Sequence, residues 1–263
     1  MMNHIRELNV LKTNEIYNID CLIGIEEMLK QGLQADLIVT DPPYLIRSTK
    51  AGGKSDLARS IQPMNDELED GNLTKGIEEV HLKAMWDVMR IPNIYIWCNG
   101  AQIPQYIDFF VNQRKCKMDI IVWHKTNATP LFCNKYLSDK EYCLYFRRGA
   151  YCQPKTYHSA TTVYELPINA KDKRLYGHPT VKPLPIIRNL VENSSKSGDL
   201  VLDPFMGSGT TAAACVETDR KFIGFEINKK LRMKKETWKT VFQIVLSILT
   251  AIAASLGVTS CMS

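Results

Sequence analysis

Apolar residues come in short blocks along this chain, and the blocks alternate between two periods. The runs "IYNID" (16–20) and "ADLIVT" (35–40) read as strands, while "LIGIEEMLKQG" (22–32) between them has helical spacing and ends at Gly32. That order is strand, helix, strand. After Ile46 comes "RSTKAGGKSDLARSIQPMNDELEDGN" (47–72), a polar stretch with no sustained period that reads as a mobile loop. Inserts of that length in a compact domain usually carry function or lack order.

Order resumes with a helix over 77–89, the strand "NIYIWC" (93–98), a helix over 103–113, and the strands "MDIIVWHK" (118–125) and "EYCLYFRRG" (141–149). Residues 150–177, rich in Tyr, Thr, Lys and Pro, read as irregular and are the best candidate for an insert that reads a substrate, a role shared with the loop 45–76. The helix "PLPIIRNLVENSS" (183–195), the strand "DLVLDPF" (199–205), the helix "GTTAAACVETD" (209–219) and the strand "KFIGFEI" (221–227) follow. Continuous apolar strands alternating with helices predict an α/β fold with a parallel sheet covered on both faces.

At about Met233 the pattern breaks. A lysine-containing segment leads into "VFQIVLSILTAIAASLGV" (241–258), which is nearly all apolar. The 263 residues, 45% of them apolar, suit one large domain over 1–232 with an appendage over 233–263. The net charge of +5 permits contact with a polyanion without requiring it. Eight cysteines stand apart with no CxxC pair, and no cleavable signal opens the chain. The expectation is therefore no metal site and reduced thiols in the cytoplasm.

Two stretches carry chemistry. In "LDPFMGSGTT" (202–211) an apolar strand runs into Gly207 and Gly209 and then a helix, which sets backbone N–H groups at the carboxyl edge of the sheet. Glu226 ends the next strand, where an acid can accept hydrogen bonds from ribose hydroxyls. By itself such a turn is also an ordinary strand-to-helix connection. "GKS" (53–55) lacks the leading glycine of a P-loop, and "GSGTTA" (207–212) has only the looser alanine form of the dinucleotide fingerprint. A cofactor with ribose and no phosphate, such as S-adenosylmethionine, fits at least as well.

The second stretch is "VTDPPYLI" (39–46), a strand that stops in Asp41-Pro42-Pro43-Tyr44. The prolines fix the backbone and leave carbonyls free to accept. An exocyclic nucleobase amine has its lone pair delocalised into the ring. If Asp41 and the Pro42 carbonyl each take one N–H, the nitrogen can pyramidalise and attack a methyl group. Tyr44 would stack on a base turned out of the duplex.

Together these stretches resemble the DNA amino-methyltransferases that act on adenine N6 or cytosine N4, in the permuted group where DPPY precedes the glycine motif; the likeness runs over roughly residues 8–230. It implies a class I S-adenosylmethionine-dependent methyltransferase fold, a mostly parallel seven-stranded sheet with helices on both faces. It implies double-stranded DNA as partner and, since Asp41 stands where the cytosine members more often have Ser, adenine N6 as target. Asp41, Pro42, Pro43 and Tyr44 match the catalytic motif, and Asp203, Phe205, Gly207, Ser208, Gly209 and Thr210 match the cofactor loop. His178, Thr180 and Lys182 of "GHPTVKP" match the segment enclosing the methionine end of the cofactor. Asp20 and Cys21 of "IDCL" match the strand end that meets its adenine ring.

Lys125, Arg147 and Arg148 are candidates for phosphate contact, and equally for structural support or a solvated strand end. Trp86, Trp97 and Trp123 read as core. Homodimers are common in the permuted group, though no residue here specifies one. The segment from Met233 resembles a separate short protein type called smalltalk, which suggests a fusion in place of the family's last covering helix. Its 18 apolar-dominated residues just reach across a bilayer, with Gln243, Ser247 and Thr250 making insertion marginal. Membrane contact through 241–258 and an ordinary packed helix are both open.

Overall fold

Every residue of β2 (Leu37–Thr40), β3 (Asn93–Cys98) and β7 (Leu200–Asp203) is buried, because helices cover both faces of these central strands. The computed structural model describes residues 10–46, 62, 66, 69, 74–130, 136–168 and 181–227. The loop expected over 47–72, apart from Gln62, Asp66 and Glu69, and the segment from Met233 lie outside the described residues.

The remaining elements are β1 (Glu15–Tyr17), α1 (Cys21–Lys30), α2 (Glu79–Val88), α3 (Ile103–Ile107), β4 (Lys117–Lys125), β5 (Lys140–Arg147), β6 (Val163–Leu166), α4 (Leu184–Ser194), α5 (Thr210–Glu217) and β8 (Lys221–Phe225). They form one mixed sheet in the order β1-β8-β7-β2-β3-β5-β4-β6. Neighbours are parallel except at β5, which runs antiparallel to both β3 and β4.

Strand side chains alternate between two cores. Ile38, Ile94, Phe146 and Leu202 face α1, α2 and α3, while Leu37, Val39, Trp97 and Val201 face α4 and α5. The helix expected over 103–113 is α-helical only to Ile107 and continues as a π-helical turn over Asp108–Gln113, which buries Phe109 and Phe110 together.

Two expectations are corrected. The sheet has eight strands rather than seven, and the segment 150–177 is not irregular throughout. Both differences come from β6, whose residues Val163 to Leu166 pair in register with Val122 to Lys125 at the sheet edge. Six cysteines are described and all are free. Among the described residues no helix is long and apolar enough to cross a membrane.

The pairing that matters for the site is β2 with β7, parallel, with Leu37 opposite Val201 and Ile38 opposite Leu202. Asp36 pins one end of this pair, its backbone N–H donating to the Leu200 carbonyl and its carboxylate accepting from the Leu200 N–H, each at 2.9 Å. Thr40 pins the other, its hydroxyl donating to Asp203 Oδ1 at 2.8 Å.

At one end of the sheet α1 approaches β8 so closely that a Cβ on Gly24 would lie 2.5 Å from the buried ring of Phe225. The Gly24→Ala variant gains about 1 kcal/mol in helix propensity but meets an overpacking cost of about 1–3 kcal/mol. It should unfold at lower urea than the wild type, and an unchanged or higher midpoint would contradict the close packing.

Candidate active site

Because β2 and β7 are parallel and adjacent, the chain leaves both at the same rim. The turn Asp41–Tyr44 and the glycine loop after Asp203 then face one cavity of about 230 Å³. Asp41, Pro42, Pro43 and Tyr44 form one wall of it. The Pro43 carbonyl accepts from the Gln102 amide at 3.0 Å and the Leu45 carbonyl from the Asn99 amide at 2.8 Å, so the turn is tied down on either side of Tyr44. Two buried polar atoms in this wall, Asp41 Oδ1 and Trp97 Nε1, have no hydrogen-bond partner among the described residues.

The rest of the lining comes from Asp203, Phe205, Gly207, Ser208 and Thr210, with Asp20, Cys21 and Glu226 completing it. Gly207 and Gly209 hold positive φ values of 48° and 81°, which side-chain-bearing residues rarely adopt, and Gly209 is the cap from which α5 starts. The Gly207 N–H donates to Glu226 Oε2 at 2.9 Å, joining the loop to the end of β8. Asp20 caps α1, accepting from the Leu22 N–H at 2.8 Å. Burial pushes the neighbouring Cys21 thiol up to about 12, so it is neutral and unreactive as a nucleophile.

Behind Asp41 runs a chain of alternating charges. Lys125 Nζ lies 2.6 Å from Glu141 Oε1, Glu141 Oε2 lies 3.1 Å from Lys182 Nζ, and Lys182 Nζ lies 2.5 Å from Asp41 Oδ2. Burial alone would raise the Glu141 carboxyl, yet Lys182 and Lys125 outweigh it and bring it down to about 2. Burial alone would lower the Lys182 ammonium, and Asp41 and Glu141 instead hold it above the ordinary lysine range. The Tyr44 hydroxyl donates to Glu141 Oε2 at 3.3 Å.

The expected DNA contacts are not brought to this cavity. Lys125 pairs with Glu141 and its side chain is only 15% exposed. Arg147 lies opposite Asn93, the first residue of β3, at the far rim, because β5 is reversed. Six residue steps along the strand separate it from Glu141, about 20 Å. There Arg147 lies 3.6 Å from Asp119, and Arg148 stacks over Trp86 and donates to the Arg114 carbonyl. His178 and Thr180 lie outside the described residues.

The N6/N4 methyltransferase family model, described as DNA methylase, matches residues 35–233. The chain belongs to this family. A second model, of a family of unknown function, matches residues 233–263 and begins where the composition breaks. The methylase is 28% identical over 217 residues to the type II methyltransferase M2.DpnII of Streptococcus pneumoniae, covering 74% of this chain and 78% of that relative. It is 29% identical over 215 residues to M2.LlaDCHI of Lactococcus lactis subsp. cremoris, with the same coverage of 74% and 78%. The crystal structure of the M1.HpyAVI-SAM complex superposes with a TM-score of 0.60 at 25% identity, over 87% of this chain and 98% of that one. The sheet and its helical layers are thus those of a class I methyltransferase, as the motif pattern leads one to expect.

Sequence reasoning missed two parts of the methylase site, Trp97 and Thr40, and read a third, Glu141, only in part. By the family resemblance Glu141 of "EYCLYF" stands in an expected place, but the resemblance assigns it no role, and its position at the cavity depends on β5 being reversed. Trp97 read as core, and it is 1% exposed, yet it also lines the cavity. Thr40 gave no signal beyond ending a strand, although it ties the two motifs together.

Asp203 is 3% exposed and burial pushes its carboxyl up to about 7, even though Thr211, Thr40 and the Phe205 N–H all favour the charged form. A raised carboxyl binds its proton more tightly when folded. Its contribution is therefore complete below the unfolded carboxylate value of about 3.9 and is lost as pH rises through about 7. Urea melts at pH 5 and pH 8 should show the wild type losing stability relative to Asp203→Asn by an amount on the order of a few kcal/mol. Parallel pH curves for the two proteins would refute this.

Proposed function

We propose that this DNA methylase transfers the methyl group of S-adenosylmethionine to the N6 amino group of an adenine turned out of the duplex. The observation that carries the reading is the single cavity shared by the Asp41–Tyr44 turn and the glycine loop, on strand ends that are hydrogen-bonded neighbours. The chemistry of the rest of its lining suits that cofactor. Asp203 offers a buried carboxylate to an ammonium group, Glu226 ends a strand where ribose hydroxyls bind, and Asp20 and Cys21 stand where an adenine ring would be met. Phe205, Gly207, Ser208, Gly209 and Thr210 would form the loop around it, with His178 and Thr180 added by resemblance. When bound, S-adenosylmethionine supplies a methyl group activated on sulfonium.

The protein's part is to make the amine a nucleophile. Asp41 Oδ1 is a buried acceptor open to one N–H of the target, and the carbonyl of Pro42, which also lines the cavity, would take the other. Holding both N–H groups takes the nitrogen lone pair out of conjugation and aims it, and the nitrogen then releases one proton to solvent. Pro43 stiffens the turn and Tyr44 offers a ring on which the base stacks. Position and fixed charge supply the rate enhancement. Neither dimerisation nor membrane contact through 241–258 enters this chemistry. Lys125, Arg147 and Arg148 have no place in the base pocket.

Incubation with labelled cofactor and duplex DNA, followed by nucleoside analysis, should yield N6-methyladenine. The Asp41→Ala variant should turn over at least about 100-fold more slowly while still binding cofactor. N4-methylcytosine without N6-methyladenine would reassign the target, and undiminished transfer by Asp41→Ala would overturn the reading.

A further inference from the structure

The motif resemblance gives Lys182 to the methionine end of the cofactor, but its surroundings are those of the target amine. The ammonium lies 2.5 Å from Asp41 Oδ2, 3.1 Å from Glu141 Oε2, and 5.3 Å from the ring centres of both Tyr44 and Trp97. The Lys182 side chain is 7% exposed, so it is held inside the wall. We propose that Lys182 is a positioning residue for the amine-holding end of the site, acting through Asp41, and that Glu141 keeps it in place. The inference rests on the reading of Asp41 given above.

A carboxylate rotates freely about its last torsion unless an oxygen is fixed, and Asp41 has one oxygen fixed by Lys182 while the other is buried with no partner among the described residues. The fixed oxygen thus determines where the open one points. A lysine is a flexible stem and needs a second anchor to act as a fixed point. Glu141 supplies it, and Lys125 in turn holds Glu141 at 2.6 Å. The same Glu141 oxygen that meets Lys182 also accepts from the Tyr44 hydroxyl, so one anchor orients the carboxylate and the stacking ring together. The alternation of two cations and two anions also makes the burial tolerable, since each charge has an opposite neighbour.

The test uses the full chain and separates rate from affinity. Single-turnover methyl transfer at saturating cofactor and DNA is measured for Lys182→Met, Lys182→Arg and Glu141→Gln, alongside the dissociation constant for S-adenosylmethionine. We expect Lys182→Met to be about 100-fold slower with cofactor affinity changed by less than about 3-fold, Lys182→Arg to recover at least about tenfold of the loss, and Glu141→Gln to lose rate in the same parameter. In an Asp41→Asn background, Lys182→Met should cause no further loss, because both changes remove one device. A tenfold or larger weakening of cofactor binding with the saturated rate retained would return Lys182 to the cofactor and overturn the proposal. So would losses that multiply in the double variant. If Lys182→Met fails to fold by circular dichroism, the rate and affinity of Lys182→Arg and Glu141→Gln decide. Undiminished transfer by Asp41→Ala would remove the underlying reading, whereas loss there with full rate in Lys182→Met would remove only this one.

Discussion

The parallel pairing of β2 with β7 is the constraint on which the site depends. In a parallel pair the two chains must leave the sheet at the same end, so a turn rich in prolines and a turn rich in glycines become neighbours although some 160 residues separate them in sequence. The pair is pinned below by Asp36 on Leu200 and above by Thr40 on Asp203. A slip of one residue would turn Leu37 and Val39 toward the wrong core, which makes the register costly to lose.

A reversed strand does what the parallel ones cannot. Parallel strands present their last residues at the cavity rim, but β5 presents its first, and so Glu141 comes to the cavity while Arg147 and Arg148 are carried to the far side. A carboxylate buried there would be expensive alone. Between Lys125 and Lys182 it is ionised well below its usual range. Placing a lysine on either side also explains how Asp41 can stay beside a second buried acid, Asp203, without the wall accumulating negative charge.

Much of this was legible in the residues. Apolar blocks bounded by glycine and proline located nearly every strand and helix, because period and punctuation are local properties. The two motifs announced themselves because each needs residue types that are conspicuous: prolines that stop a strand, and glycines that accept positive φ at 207 and 209. What stayed hidden is nonlocal. Nothing in "EYCLYFRR" says that it runs backwards, and the short edge strand β6 gains its order only from pairing with β4. Lys182 was noticed for its motif, but which end of the cavity it serves depends on contacts with two distant segments.

The two acids at the paired strand ends are chemically unlike, and the difference follows from their partners. Asp41 meets a lysine. Asp203 is met by neutral donors, Thr40 and the Phe205 N–H among them, with Asp41 nearby opposing its ionisation, and burial prevails. A wall so arranged pairs one carboxylate with a fixed cation and leaves the other favouring its proton until a cation is bound beside it. Ligand binding and ionisation of Asp203 are then thermodynamically linked, so a cationic ligand would recover folding stability that the buried acid forgoes above neutral pH.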